Sequence, residues 1–228
     1  MASTALVLLA LLAAEQDASY VQFVERTNAA VPPPPAAAVR AEALATLQGN
    51  ARAEGRCVPT GIEMRPLETA AAVRAVAEGV RDGQVRNGWT AYGNATGCPA
   101  PHLGRFFVLR LADDSLRVFI VNEGETLANP SLMRDTGALA ASAATAVVRR
   151  ANPSCDGRDM RMGPTRIVSR SPDLGPNFHG AYFSGSWTEA WTFSVCGRRV
   201  EIPVAFTADG VGGANYDIRG SEARILGR

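Results

Sequence analysis

Alternation of apolar and polar residues marks two strands most clearly, Arg199 to Ala208 and Leu116 to Asn122. In the first, large apolar side chains occupy every second position: Val200, Ile202, Val204 and Phe206. A period of two places such residues on one face of a strand. Asp209-Gly210 follows the first strand and is a strong hairpin signal, so Ala214 to Ile218 is predicted to return beside it. The stretch from Ala112 to Ser115 has turn composition and joins Leu103–Leu111 to Leu116–Asn122 in a second hairpin.

Helical composition and spacing occur in three further segments. Ala36 to Glu54 is rich in alanine, and Gly55 stands where a C-terminal cap belongs. The segment from Leu67 to Asp82 places apolar residues on one helical stripe: Ala71, Val73, Val76 and Val80. Thr136 to Ala151 is predicted as a third helix, and Asn152-Pro153 ends it. The chain after Gly220 is predicted to be frayed.

The four cysteines reveal an internal repeat. Cys57 and Cys98 are 41 positions apart, as are Cys155 and Cys196, and a tryptophan stands nine residues before the second cysteine of each pair. A shift of 98 superimposes the first half on the second up to these cysteines, and beyond them a shift of 96 aligns Ala112-Asp113 with Ala208-Asp209. Four cysteines allow three pairings. The repeat favours Cys57–Cys98 with Cys155–Cys196.

These patterns predict an α+β protein of two related units, each a helix packed on a small antiparallel sheet with one disulfide. Residues 36–125 form the first unit and residues 126–228 the second. Before them, residues 15–35 are predicted as a short helix and a linker of four prolines, Pro32 to Pro35, which extends the chain.

The apolar run from Ala5 to Ala14 is too short to span a bilayer and matches the core of a secretory signal peptide over residues 1–14. A short buried helix is the alternative. Paired cysteines also favour an oxidising compartment, so the expected location is periplasmic or extracellular. No later stretch is long enough to cross a membrane. The net charge is +1 and the arginines are scattered, which argues against nucleic-acid binding. All 23 basic residues are arginine, so lysine-based chemistry is excluded.

The most suggestive local pattern is Trp187-Thr-Glu189-Ala-Trp191. On a strand, the two tryptophans and Glu189 share a face. If that face is open, it would make a stacking platform for a sugar or peptide, with Arg198 and Arg199 on the next strand. If it is buried, the tryptophans belong to the core and Glu189 needs a partner such as one of these arginines.

The sequence offers little for catalysis or metal binding. His102 and His179 have no ligand spacing and are predicted to be solvated loop residues. No Gly-x-Ser-x-Gly turn is present to position a nucleophile. Asp113-Asp114 and Asp209-Gly210 lack the alternating oxygen ligands of a calcium loop and are interpreted as turns. We therefore expect no metal site, no cofactor and no evident catalytic centre.

Two family resemblances can be stated. The residues Trp187-Thr-Glu-Ala-Trp191, Cys196-Gly197, Phe206-Thr-Ala-Asp-Gly210 and Gly212-Gly213 resemble a module of exported proteobacterial proteins. That resemblance implies export and the cystine, and it implies no activity. The order of elements from Phe106 to Asn152 resembles the C-terminal domain of TonB-type energy transducers, although cysteines intervene and no long proline-rich spacer precedes it.

The leading functional hypothesis is an exported, disulfide-stabilised binding or interaction protein that uses Trp187, Glu189, Trp191, Arg198 and Arg199. Its partner would be a glycan, a peptide or an envelope protein. This role requires those side chains to be at least partly exposed. A hydrolase of a cell-envelope polymer that uses Glu189 is the alternative, and it requires a cleft with a second carboxylate or a histidine. A TonB-like envelope interaction domain is the second alternative.

Overall fold

The computed structural model describes residues 18–100 and 102–227, so the predicted signal peptide lies outside the described residues. A first helix, α1, covers 18–30. The other helices are α2 Ala36–Ala53, α3 Arg74–Arg81 and α4 Pro130–Ala151. The strands are β1 Gly61–Met64, β2 Glu68–Thr69, β3 Val85–Thr96, β4 His102–Leu111, β5 Leu116–Glu123, β6 Arg161–Arg170, β7 Ser186–Val195, β8 Arg198–Ala208, β9 Ala214–Ile218 and β10 Arg224–Gly227. Within these residues, no helix is long and apolar enough to cross a membrane.

Unit 1 contains an antiparallel sheet in the order β1–β3–β4–β5, with β2 also paired to β3. Helix α2 packs on one face through a stripe of small and apolar residues, Val39, Ala43, Leu47 and Ala51, which recur every four positions. Trp89 and Phe106 fill the core under this helix. The opposite face packs on α3 through Phe107, which contacts Val73 and Val76.

Unit 2 repeats this plan with the order β6–β7–β8, and both β9 and β10 pair with the far side of β8. Helix α4 covers the sheet and carries a buried stripe that includes Ala140, Ala144 and Val148. Its N-terminus is capped by Asn129, whose side chain accepts hydrogen bonds from the backbone N–H groups of Ser131 and Leu132. The fold class predicted from the sequence is therefore confirmed.

The register of the strands preserves the repeat. Trp89 lies opposite Val108 in β3–β4, and adding 98 to both numbers gives the pair Trp187 and Phe206 in β7–β8. Helices α2 and α4 also end 98 positions apart, at Ala53 and Ala151. The shift stays at 98 beyond the second cysteine, because the turn bonds from Leu111 N to Ser115 O and from Asp209 N to Gly213 O are also 98 apart. The predicted shift of 96, which aligned Ala112-Asp113 with Ala208-Asp209, was wrong. It matched identical residues in the two turns, whereas the hydrogen bonds of the turns are 98 positions apart.

Both predicted cystines are present. Cys57–Cys98 has a Cα–Cα distance of 6.0 Å and Cys155–Cys196 one of 5.8 Å. Each joins the residues that follow a helix to the end of the tryptophan-bearing strand. Closing a loop of about 40 residues stabilises a fold by about 4 kcal/mol in the chain-entropy model.

Three predicted boundaries were wrong for identifiable reasons. Helix α3 begins at Arg74, because Ala70 N donates to Gly88 O and Ala72 N donates to His179 O, which holds this segment in non-helical pairing. Helix α4 begins earlier than Thr136, at the Asn129 cap. The chain after Gly220 forms β10, in which Ile225 pairs with Val200.

The two units meet edge to edge. Gly124, just after β5, forms a parallel bridge with Thr165 of β6. Asn122 Nδ2 donates to Thr165 Oγ1 at 2.8 Å, and Thr165 Oγ1 donates to Glu125 O at 2.8 Å. On another side, Val24 of α1 packs with Ala72 of unit 1 and Ala181 of unit 2. Residues 124–129 join β5 to α4 and are named the linker from here on; these contacts hold the linker against the sheet of unit 2.

Candidate functional site

Glu189 lies in the core and accepts five hydrogen bonds. Its exposed fraction is 0%. Oε1 accepts from Leu127 N at 2.7 Å, Ala128 N at 3.0 Å and Trp187 Nε1 at 3.0 Å. Oε2 accepts from Thr126 Oγ1 at 2.7 Å and Trp191 Nε1 at 2.8 Å. Four of these donors are N–H groups that cannot accept, so the arrangement matches a carboxylate whose oxygens both act as acceptors.

The open platform expected of a binding face is contradicted by this burial. Trp187, Glu189 and Trp191 do share a face of β7, but the face packs under α4 and both indoles lie near the Phe206 ring. Arg198 and Arg199 are exposed at the start of β8, and neither is among the partners of Glu189. The five residues therefore do not form one surface. The partners of the carboxylate come instead from the linker 126–128 and the two indoles.

The same linker is held from its other side by an arginine of unit 1. Arg105 Nη1 donates to Ala128 O at 2.7 Å, while Ala128 N donates to Glu189. Tyr92 strengthens the contact, because its hydroxyl donates to Thr126 O at 2.9 Å. A buried cation of unit 1 and a buried carboxylate of unit 2 therefore clamp the linker between them.

Arg105 is a buried cation with unused hydrogen-bonding capacity. Its exposed fraction is 6%, and its Nε atom is buried without a hydrogen-bond partner. Its guanidinium carbon lies 5.7 Å from the centre of the Tyr92 ring, and that of Arg65 lies 5.4 Å from the same ring. Among the described residues, no carboxylate oxygen comes within 4.0 Å of the Arg105 guanidinium. A buried charge in this state is costly unless a counter-charge approaches it.

Arg105 borders a polar cavity of about 210 Å³ between the two units, here named the Arg105 cleft. Unit 1 contributes Arg65, Glu68 and Tyr92 to its lining, and unit 2 contributes Arg170, Asn177 and Tyr182. The linker adds Glu125 and Thr126. Three arginines against two glutamates leave an excess of positive charge, and Arg105 is the most deeply buried of these charged side chains.

The electrostatics around Tyr182 fit this description. Burial raises the pKa of the Tyr182 hydroxyl, and the positive charges of Arg170 and Arg105 partly oppose that rise. Tyr182 is therefore a neutral hydroxyl at physiological pH and can act as donor or acceptor in the cleft.

His179 stands beside the Arg105 cleft, in a shallower depression of about 480 Å³ that shares Glu68, Asn177 and Gly180 with it. Its Nε2 lies 3.2 Å from Glu25 Oε1, and its side chain is 16% exposed. The other histidine, His102, is the first residue of β4 and lies 3.6 Å from a Glu123 oxygen. His179 lies in a turn as predicted, whereas His102 lies in a strand. The prediction that both are solvated was wrong, because each is mostly buried beside a carboxylate.

Sequence reasoning missed Arg105 as a site residue. A signal was available, because Arg105 interrupts the apolar run of β4, with Phe106, Phe107 and Val108 directly after it. Its face could not be assigned without the strand partners. Among residues 18–100 and 102–227, no group of three or more His, Cys, Asp or Glu side chains could hold a metal ion. Comparison with known proteins found no match to the chain among family models, curated proteins or solved structures.

Proposed function

We propose that this chain is a binding protein for a small anionic ligand, held in the Arg105 cleft, and that it works outside the reducing cytoplasm. The single observation that carries the proposal is Arg105: a buried guanidinium whose Nε has no partner, on the wall of a polar cavity. Carboxylate and phosphate oxygens are the groups that a guanidinium recognises best, because its N–H donors match their geometry.

The surroundings of Arg105 favour an anion over a cation or an apolar ligand. Arg65 and Arg170 line the same cavity, and the Asn177 amide and the Tyr182 hydroxyl supply neutral polar groups. A volume of about 210 Å³ limits the ligand to a small molecule. Glu68 and Glu125 also line the cavity, and both side chains are exposed. A ligand that carries a positive group beside its anionic group would therefore also fit the cavity.

Two cystines support a location in the periplasm or outside the cell, since such bonds persist in oxidising compartments. The hydrolase alternative has no support from Glu189, because that carboxylate is fully buried and surrounded by hydrogen-bond donors. Nor does the proposal use Trp187 or Trp191, which belong to the core.

Isothermal titration calorimetry with inorganic phosphate and with acetate tests the proposal on the full chain. We expect saturable, exothermic binding of at least one of these probes. Arg105→Gln should weaken it about tenfold to a hundredfold, because a hydrogen bond to a charged group contributes about 1.5–3 kcal/mol. Arg170→Gln, which leaves the linker contacts intact, should weaken it less.

The matched control is the double variant Arg198→Gln/Arg199→Gln, which removes two exposed arginines from unit 2. It should bind the probe as the wild type does. Absence of saturable binding of either probe by the wild type would refute the proposal, as would equal weakening in this control.

A further inference from the structure

A second cavity, of about 220 Å³, lies in unit 1 beside the Cys57–Cys98 cystine. Leu47 and Ala51 of α2 form one wall, and Ala95 of β3 forms another. Its lining is mainly apolar, with His102 and Arg56 as the polar side chains. It shares no lining residue with the Arg105 cleft, so the inference below does not rest on the proposed function.

The internal repeat shows what kind of group fits this place. The pair Ala95–His102 in β3–β4 corresponds, 98 positions on, to the pair Phe193–Val200 in β7–β8. Phe193 is buried in the core under α4, where its ring packs with residues of the helix and Val200. The position that carries the Phe193 ring in unit 2 carries only the Ala95 methyl group in unit 1. The cavity lies beside this methyl group.

The remaining differences between the units point the same way. Ala51 is the last buried residue of the α2 stripe and Val148 is the last of the α4 stripe, so this wall position carries a larger side chain in unit 2. Next to Val148, the Arg149 side chain donates to Cys155 O at 2.6 Å and to Asp156 O at 3.2 Å and so closes this corner of unit 2. As a result Cys155 is buried, whereas the corresponding Cys57 is exposed. These differences leave unit 1 open at the site that unit 2 fills.

We propose that this cavity is a binding site for a small ligand with a single aromatic ring, which enters where Phe193 would stand in the other unit. An apolar cavity of about 150 Å³ is already large enough to accept benzene. The cavity in unit 1 is larger, so a monocyclic ring with a short substituent fits. Leu47, Ala51 and Ala95 contact the ring, and the cystine borders it.

Toluene is the appropriate probe, because it has the carbon skeleton of the phenylalanine side chain. Titration of the full, oxidised chain with toluene, followed by NMR, should give saturable shifts of the Leu47, Ala51 and Ala95 methyl signals. Intermolecular nuclear Overhauser effects between toluene and these methyl groups should accompany the shifts. Ala95→Phe should abolish them, because its ring occupies the cavity.

The control variant is Ala138→Phe, which adds the same ring at an exposed position of α4 in unit 2 and should leave toluene binding unchanged. The Overhauser effects in the wild type keep the test decisive even if Ala95→Phe does not fold. Non-saturating shifts up to the solubility of toluene, Overhauser effects to other residues only, or undiminished binding in a folded Ala95→Phe variant would each overturn the proposal.

Discussion

Glu189 and Arg105 are buried groups of opposite charge that belong to different units, and the backbone of Ala128 lies between them. Its N–H donates to Glu189 and its carbonyl accepts from Arg105. A buried carboxylate that accepts several N–H bonds is stabilised by them without a direct ion pair. The difference between the two residues is that Glu189 uses both oxygens, whereas Arg105 retains an unpartnered Nε.

Replacement of Glu189 by glutamine should lower the free energy of unfolding by about 1–3 kcal/mol, because the new NH₂ group would face an indole N–H or hydroxyl that now donates. Urea unfolding measures this change. Glu222→Gln, at an exposed position, is the control and should have an effect within about 0.5 kcal/mol. If Glu189→Gln were as stable as the control, the five hydrogen bonds would not have the stabilising role described above.

Tyr182 provides a prediction for high pH. Burial raises its pKa in the folded state, so the unfolded chain loses the phenolic proton first, and stability falls as pH rises above about 10. Tyr20, whose hydroxyl donates to Ala72 O, also has a raised pKa because of burial. The chain has no lysine to obscure this range. Urea unfolding across this range should show a shallower loss of stability in Tyr182→Phe than in the wild type, and equal slopes would contradict the account.

The sequence anticipated the neighbours of Glu189 only in part. Period-two spacing correctly placed Trp187 and Trp191 on its side of the strand. The predicted arginine partner was wrong, because Glu189 lies opposite Val204 on the next strand, whereas Arg198 and Arg199 lie opposite Val195 and Ser194. The actual partners, residues 126–128, are more than 60 positions away and reach Glu189 only through the packing of the linker. Spacing along one strand carries no information about such a contact.

At the scale of elements, the repeated unit was predictable because its markers are local. A cysteine follows α2 and α4, and a tryptophan precedes the second cysteine of each pair by nine residues, so the repeat favoured the two cystines that are present. The extent of α3 was not predictable in this way. Residues 68–72 have helical composition, but hydrogen bonds to β3 and to His179 O hold them in another conformation.

The two cystines should differ in their reactivity towards a small thiol. Cys57 is exposed beside an open cavity, whereas Cys155 is 3% exposed beneath the Arg149 side chain. Because thiol–disulfide exchange requires access to a sulfur, Cys57–Cys98 should be reduced first by dithiothreitol under native conditions. Timed alkylation and mass spectrometry would detect this order. Under denaturing conditions, which serve as the control, the two rates should converge; simultaneous or reversed reduction of the native protein would contradict the description.

At the scale of the whole molecule, the units are joined by a bridge, a clamped linker and a shared apolar cluster under α1. None of these contacts was predictable, because each joins segments that are far apart in the sequence and that share no spacing pattern. The joint also creates the Arg105 cleft, whose lining comes from both units. The proposed binding site is therefore a property of the assembled chain and of neither unit alone.

Because these contacts connect the two units, we expect both units to unfold together. In Trp89→Phe, the remaining tryptophans, Trp187 and Trp191, report on unit 2 by fluorescence, while circular dichroism reports on the helices of both units. The two probes should give coincident urea transitions. A fluorescence transition displaced from the circular dichroism transition would mean that the units unfold separately and that the joint is weak.

The most direct test of the account concerns the Arg105 side chain itself. In an arginine Nε–Hε correlation spectrum of the full chain, titration with the anion that binds by calorimetry should shift the Arg105 signal saturably and leave those of Arg198 and Arg199 in place. An Arg105 signal that does not move while bound anion accumulates would contradict the central proposal that the Arg105 guanidinium recognises the ligand.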